Sequence, residues 1–182
     1  TAVMGYGLVK ETGSKIELIS MGVIKMDNID DHMLKLQRIF EKTVHLIDNY
    51  HPDCLAIEAP FYGKNIQVML KLGRAQGVAM AAGLSRNVTI TEYAPRKIKQ
   101  SITGNGNATK EQVAAMLQTL LKFKETPEFL DATDGLAVAV CHSFQKISTS
   151  TGKGSSKKSY SGWETFAKDN TNRISGLAKP KK

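Results

Sequence analysis

Three carboxylates set against apolar runs constrain this chain more than any other feature. Glu58 ends the run Cys54-Leu55-Ala56-Ile57-Glu58, and Asp131 and Asp134 sit three apart within LDATDGLAVAV at 130–140. A carboxylate beside a hydrophobic core is costly unless something cationic partners it. A strand-end Glu and an i, i+3 Asp pair on one helix face can supply oxygen ligands for a divalent metal, leaving room for a phosphate as bridging ligand. The fold must then bring a sheet end up to a C-terminal helix. The chemistry indicated is metal-dependent phosphodiester hydrolysis.

The local patterns support such a fold. The chain opens on Thr1, directly inside the strand-like VMGYGLV at 3–9. A Thr-Gly-Ser turn at 12–14 leads to a second strand, KIELISMGVIKM at 15–26, predicting an antiparallel hairpin. Apolar residues from Met33 to Tyr50 recur at helical spacing, with Asp30 or Asp31 as N-cap. His51-Pro52-Asp53 ends that helix, and the continuous apolar strand 54–58 suits the buried centre of a sheet. A helix over about 65–85 carries Gly73, Gly77 and Gly83 among several alanines. VTITEY at 88–93 is a strand, and Pro95 opens a short basic helix at its natural N1 position. After the loop TGNGN at 103–107, Thr109 and Gln112 make a capping box for a helix running to about Lys122. The last helix, about 131–146, carries both aspartates in its first turn, where the helix dipole favours negative charge. Strands first, then strands alternating with helices, predict an α/β fold: a mixed sheet with helices on both faces.

Charge divides the chain in two. Residues 148–182 hold 8 Lys+Arg against 2 acids, while 1–147 hold 17 against 15. We therefore expect a folded domain over 1–147 and a basic Ser/Gly/Lys-rich flexible tail over 148–182. A basic arm suits a polyanion, most simply nucleic acid, through counterion release, or serves only to keep the chain soluble. Within the tail only SGWETFAKDN at 161–170, with Trp163, has enough apolar content to dock. No apolar run approaches the roughly 20 residues that span a bilayer. Cys54 and Cys141 lie in apolar runs and read as buried, reduced thiols. No Cys/His cluster has zinc spacing, which favours hard-metal chemistry. GNGNATK lacks the G-x-x-x-x-G-K-[ST] pattern and follows a helix, so a nucleotide-triphosphate loop is excluded. His142 reads as a packed or hydrogen-bonded residue. His32, His45 and His51 show no site-like spacing.

Four separated motifs carry a resemblance. LAIEAPFYGKN at 55–65, LKLGRAQG at 70–77, EYAPRKIKQSITGNGNATKEQV at 92–113 and DATDGLAVAVCH at 131–142 closely resemble the RuvC family of bacterial four-way (Holliday) junction resolvases. The resemblance is collinear from residue 1 to about 146. It implies a ribonuclease-H-like fold. The family's opening strand, ending in Asp-Pro-Gly, falls immediately before Thr1. The expectation that follows is a chain lacking its first core strand and first metal-binding Asp, and inactive as it stands.

By the resemblance, Glu58, Asp131 and Asp134 are catalytic metal ligands for two Mg²⁺ ions, with Mn²⁺ a substitute. Phe61 matches an aromatic that contacts bases near the junction, and a packed anchor for its loop is the alternative. Lys64 on the same loop, and Lys99 and Lys110 flanking TGNGN, match or suit DNA contacts; Arg74, Arg96 and Lys97 are weaker candidates. Tyr62 is open between packing and exposure. The implied activity is a Mg²⁺-dependent endonuclease resolving four-way DNA junctions by paired symmetric nicks in homologous recombination and repair. The implied partners are junction DNA, a second copy of the chain as a homodimer and a branch-migration helicase complex, in the cytoplasm at the nucleoid and not at a membrane. The rival expectation is a non-catalytic junction binder, because the first acid is absent from this chain.

Overall fold

The computed structural model describes residues 2–60, 65–123 and 130–151, the last five as backbone only. β1 (Val3–Thr12) and β2 (Lys15–Lys25) form the antiparallel hairpin, turning at Gly13 with φ +62°. Between the pairs Leu8–Ser20 and Val9–Leu18, Ile19 has no partner. This bulge reverses the in/out alternation of β2. Ile16 and Leu18 before it and Met21 after it consequently all face one core cluster.

α1 (His32–Tyr50) is capped by the Asp31 carboxylate, which accepts from the backbone N–H of Met33 and Leu34. β3 (Cys54–Glu58) and β4 (Thr89–Tyr93) pair in parallel, joined by α2 (Ile66–Leu84). α3 (Pro95–Thr103) starts on its proline, and α4 (Lys110–Leu121) has the reciprocal Thr109–Gln112 capping box. α5 (Leu130–Thr151) is the last element. It runs through Ser148, where composition places the start of the tail, because each further helical residue needs only one more hydrogen bond. The remainder of the tail, with Trp163, lies outside the described residues.

The mixed pairing is split between two two-stranded sheets, β1–β2 and β3–β4. β3 therefore has one paired edge among the described residues, and its first four residues are half-buried and Glu58 exposed where the sequence predicts a fully covered strand. The helices lie on both faces as expected. Ile57, with Met4 and Tyr6, faces the cluster of Ile39, Ala75 and Ala79 from α1 and α2. Ala56 and Tyr93 face the cluster built by α3, α4 and α5 around Leu117, Leu136, Val140 and Cys141. Strand alternation puts Glu58 on the same face as Ala56, toward α5.

α5 sits on β1 with backbone against backbone. A Cβ at Gly5 would collide with the Asp131 carbonyl, and one at Gly7 with the Leu136 backbone. From the other side, a Cβ at Gly135 would lie 2.6 Å from Tyr6 Cα. These glycines let the helix approach closely enough to hold its aspartates at the sheet. No local pattern in VMGYGLV or DATDGLAV marks these three glycines as a helix–strand contact.

Candidate active site

Each acidic side chain reaches the site by a different local route. Glu58 is delivered by the C-terminal end of β3, where its Cα partner across the parallel ladder is Tyr93. Asp131 occupies the first turn of α5, and Asp134 falls beyond it in the second. Only Asp131 thus has the first-turn setting that the sequence predicts for both. An i, i+3 pair is offset by about 60° around a helix and about 4.5 Å along it. The two carboxylates accordingly share one side without being level.

A cavity of about 120 Å³ lies between the β3 end, α3, α4 and α5. Glu58, Lys99, Lys110 and Asp134 line it, over a floor that includes Ile98, Val113 and Val138. Four of the residues singled out from sequence therefore meet in one place. Asp131 joins through Lys110, whose ammonium lies 3.6 Å from its Oδ1. The same ammonium donates a hydrogen bond to Asp134 Oδ2. A larger cavity of about 720 Å³ lies between the β1–β2 turn and the end of α4. Its single acid, Glu17, is already paired with Lys15 at 2.6 Å, so size alone does not mark the chemistry.

The charges are coupled. Glu58 is held above the ordinary carboxylate range, first by burial at the strand end and then by the negative charge of Asp134. Lys110 and Lys99 pull it back down. Glu58 is nevertheless an exposed residue, so this coupling is partly screened. Lys110 is held above the ordinary ammonium value, chiefly by its hydrogen bond to Asp134.

Among the described residues no group of three His, Cys, Asp or Glu side chains is drawn together tightly enough to hold a metal ion. The donor chemistry nonetheless fits a hard divalent cation. The converging acids offer only carboxylate oxygen, their mutual repulsion calls for positive charge, and Lys110 supplies that charge here.

Phe61, Tyr62 and Lys64 lie outside the described residues. Arg96 packs its side chain against Gly106, where an added Cβ would lie 2.5 Å from Arg96 Cγ. His142, on α5, shares a 2.8 Å hydrogen bond between its Nδ1 and the Tyr93 hydroxyl, as a hydrogen-bonded reading of that histidine predicts. Both cysteines are free thiols. No helix among the described residues is long and apolar enough to cross a membrane.

Residues 1–142 match the family model described as crossover junction endodeoxyribonuclease RuvC. A relative of that name from Christiangramia forsetii is 59% identical over 174 residues, covering 96% of this chain and 88% of the relative. One from Bacteroides fragilis is 54% identical over 176 residues, covering 96% and 91%. A structure of Thermus thermophilus RuvC superposes with a TM-score of 0.71 at 28% identity, covering 81% of this chain and 91% of that one. A second, T. thermophilus RuvC in complex with Holliday junction substrate, gives 0.73 at 26% identity, covering 82% and 97%.

Proposed function

Because this chain belongs to the crossover junction endodeoxyribonuclease RuvC family, we propose that the cavity bounded by Glu58, Asp134, Lys99 and Lys110 is where a four-way DNA junction is cut. The protein is a structure-specific endodeoxyribonuclease with a ribonuclease-H-like fold, and its substrate is the Holliday junction. Acids and lysines converging on one small concavity are the observation that carries the assignment. Acids alone would repel a phosphodiester, and lysines alone would bind it without activating water.

Members of the family are metal-dependent. Here Glu58, Asp131 and Asp134 would hold the ions, taken as two Mg²⁺ per site with Mn²⁺ as a substitute. When bound, the ions supply Lewis-acid stabilisation of the phosphate and water activated near neutral pH. The chain's own residues do the rest. Lys99 and Lys110 offer ammonium groups to the non-bridging oxygens and hold the phosphate in register. Lys110, paired here with Asp131 and Asp134, would be free to turn to that phosphate where metal neutralised those acids. The apolar floor limits water around the reacting group. Phe61 stacks on bases beside the crossover, Lys64 contacts a phosphate, and the basic tail adds further phosphate contacts. The protein works at the nucleoid in the cytoplasm, alongside a branch-migration helicase complex.

A junction has two-fold symmetry and two strands to cut, which calls for a C2 dimer. α2 offers the surface. Ile66, Leu70 and Leu84 are exposed and share a stripe with Gly73 and Gly77, where an added Cβ would meet nothing within 4 Å. Gly83 does not share it. Its missing Cβ makes room for Leu55 and Ile90, and Ala75, Ala79 and Ala82 are likewise buried within the fold. The small residues of α2 thus serve two faces.

The test is cleavage of a synthetic four-way junction in Mg²⁺ by the product of the whole reading frame. Paired nicks at symmetric positions, sealable by ligase, are expected. Junction binding with no nick in either strand pair would overturn the reading.

A further inference from the structure

We infer that Tyr93 and His142 form a positioning pair that fixes the separation between Glu58 and the two aspartates. The inference rests on the resolvase reading of the site. Glu58 and the aspartates come from elements with no covalent proximity: the end of β3 and the start of α5. Something must hold the two together against the repulsion of their charges. Tyr93 touches both sides. Its carbonyl accepts the backbone N–H of Ala59 at 2.8 Å, pinning the chain immediately after Glu58. Its hydroxyl shares a 2.8 Å hydrogen bond with His142 Nδ1, on the helix that carries Asp131 and Asp134. The rings meet edge to face, 5.9 Å between centroids and 67° between planes, so the contact is directional as well as close.

The chemistry of both partners suits a fixed link. Burial lowers the affinity of His142 for a second proton, keeping the imidazole neutral with one ring nitrogen able to accept, and Lys146 nearby acts in the same direction. Burial likewise keeps the Tyr93 phenol protonated. A phenylalanine would fill the same space in the α3–α5 cluster, so packing alone does not account for the hydroxyl. His142 lies eight residues, about 12 Å, along α5 from Asp134. A rigid helix transmits a small tilt at that distance to the carboxylates, and metal sites tolerate little displacement.

The experiment compares the whole reading-frame product with Tyr93→Phe, His142→Leu, His142→Gln and the Tyr93→Phe/His142→Leu double variant. Free Mn²⁺ is followed by electron paramagnetic resonance to obtain its dissociation constant. Junction affinity is measured with Ca²⁺, and cleavage is measured across a Mg²⁺ titration. Tyr93→Phe and His142→Leu should each weaken Mn²⁺ binding by about tenfold, the lower end of what outer partners of metal ligands supply. Half-saturating Mg²⁺ should rise in parallel, with junction affinity changing less than twofold. The double variant should be no worse than either single one, because both break one bond. His142→Gln, whose amide keeps both an acceptor and a donor for the phenol, should recover most of the loss. Unchanged Mn²⁺ affinity in Tyr93→Phe, additive losses, or no advantage of Gln over Leu would each overturn the pair. If the leucine variant does not fold, Tyr93→Phe against His142→Gln still decides. Failure of the parent protein to nick a junction would remove the resolvase reading, while the Mn²⁺ affinities would still judge the pair.

Discussion

The ammonium of Lys110 hydrogen-bonds Asp134 and lies 3.6 Å from Asp131, so one cation from α4 bridges the two acids of α5. In this arrangement the lysine neutralises the carboxylates that a metal would otherwise satisfy. On the proposed reading it would compete with metal before DNA arrives and serve the phosphate afterwards.

Lys110→Met should accordingly have opposite effects on two measurements. Mn²⁺ binding to the DNA-free protein should tighten severalfold, because a competing charge-assisted contact is gone. Junction cleavage at saturating metal should slow by at least about tenfold. Calorimetric or spectroscopic titration reads the first, and a single-turnover assay reads the second. Weaker Mn²⁺ binding would mean the lysine organises the acids instead of competing for them.

Asp131→Asn and Glu58→Gln, made in the whole reading-frame product, should reduce cleavage by roughly a thousandfold or more, since metal stabilisation of the transition state is worth several kcal/mol. Junction affinity, measured by gel shift, should persist, because the lysines proposed to contact DNA are untouched. A parallel collapse of binding would place those acids in recognition instead of catalysis.

Folding stability should fall as the solution is acidified through the histidine range. His142 in the folded state resists protonation through burial and Lys146, opposed by Glu11 across from it. The unfolded chain binds its proton near the ordinary value of 6.5. The unfolded state thus takes up more protons, so this contribution is present above 6.5 and is lost as pH drops through the folded value. Thermal melts from pH 7.5 to 5.5 should show a shallower fall for His142→Gln than for the parent. Equal slopes would mean that this histidine does not carry the effect.

Gly77→Leu should raise the dimer dissociation constant by at least about tenfold in analytical ultracentrifugation. The added side chain would project from the exposed α2 stripe, where a Cβ meets nothing, and leucine favours helix over glycine by nearly 1 kcal/mol. The monomer should therefore melt no lower than before. An unchanged dissociation constant would move the interface off α2.

Deleting residues 152–182 should weaken junction binding mainly through the salt-dependent component, because this stretch carries 8 Lys+Arg against 2 acids. The slope of log affinity against log salt should flatten by several units. A slope unaltered by the deletion would make the tail a bystander in DNA binding.

Much of this molecule was legible locally. The capping box at Thr109, the proline start of α3, the Asp31 cap and the hairpin turn each depend on residues within a few positions of one another. The three carboxylates and two lysines stood out by residue type and by family resemblance, and four of the five line one cavity. What sequence alone could not determine spans elements. Lys110 meets Asp134 across 24 residues, and Tyr93 meets His142 across 49. Gly83 faces inward while Gly73 and Gly77, on the same helix, face out. Those outcomes depend on how closely α5 can settle on the glycines of β1 and which side of α2 the sheet covers. Propensity and capping act over a turn or two of chain, so the sequence determined the elements and the chemistry they carry. Only close packing between elements decided which acid meets which lysine, and at what distance.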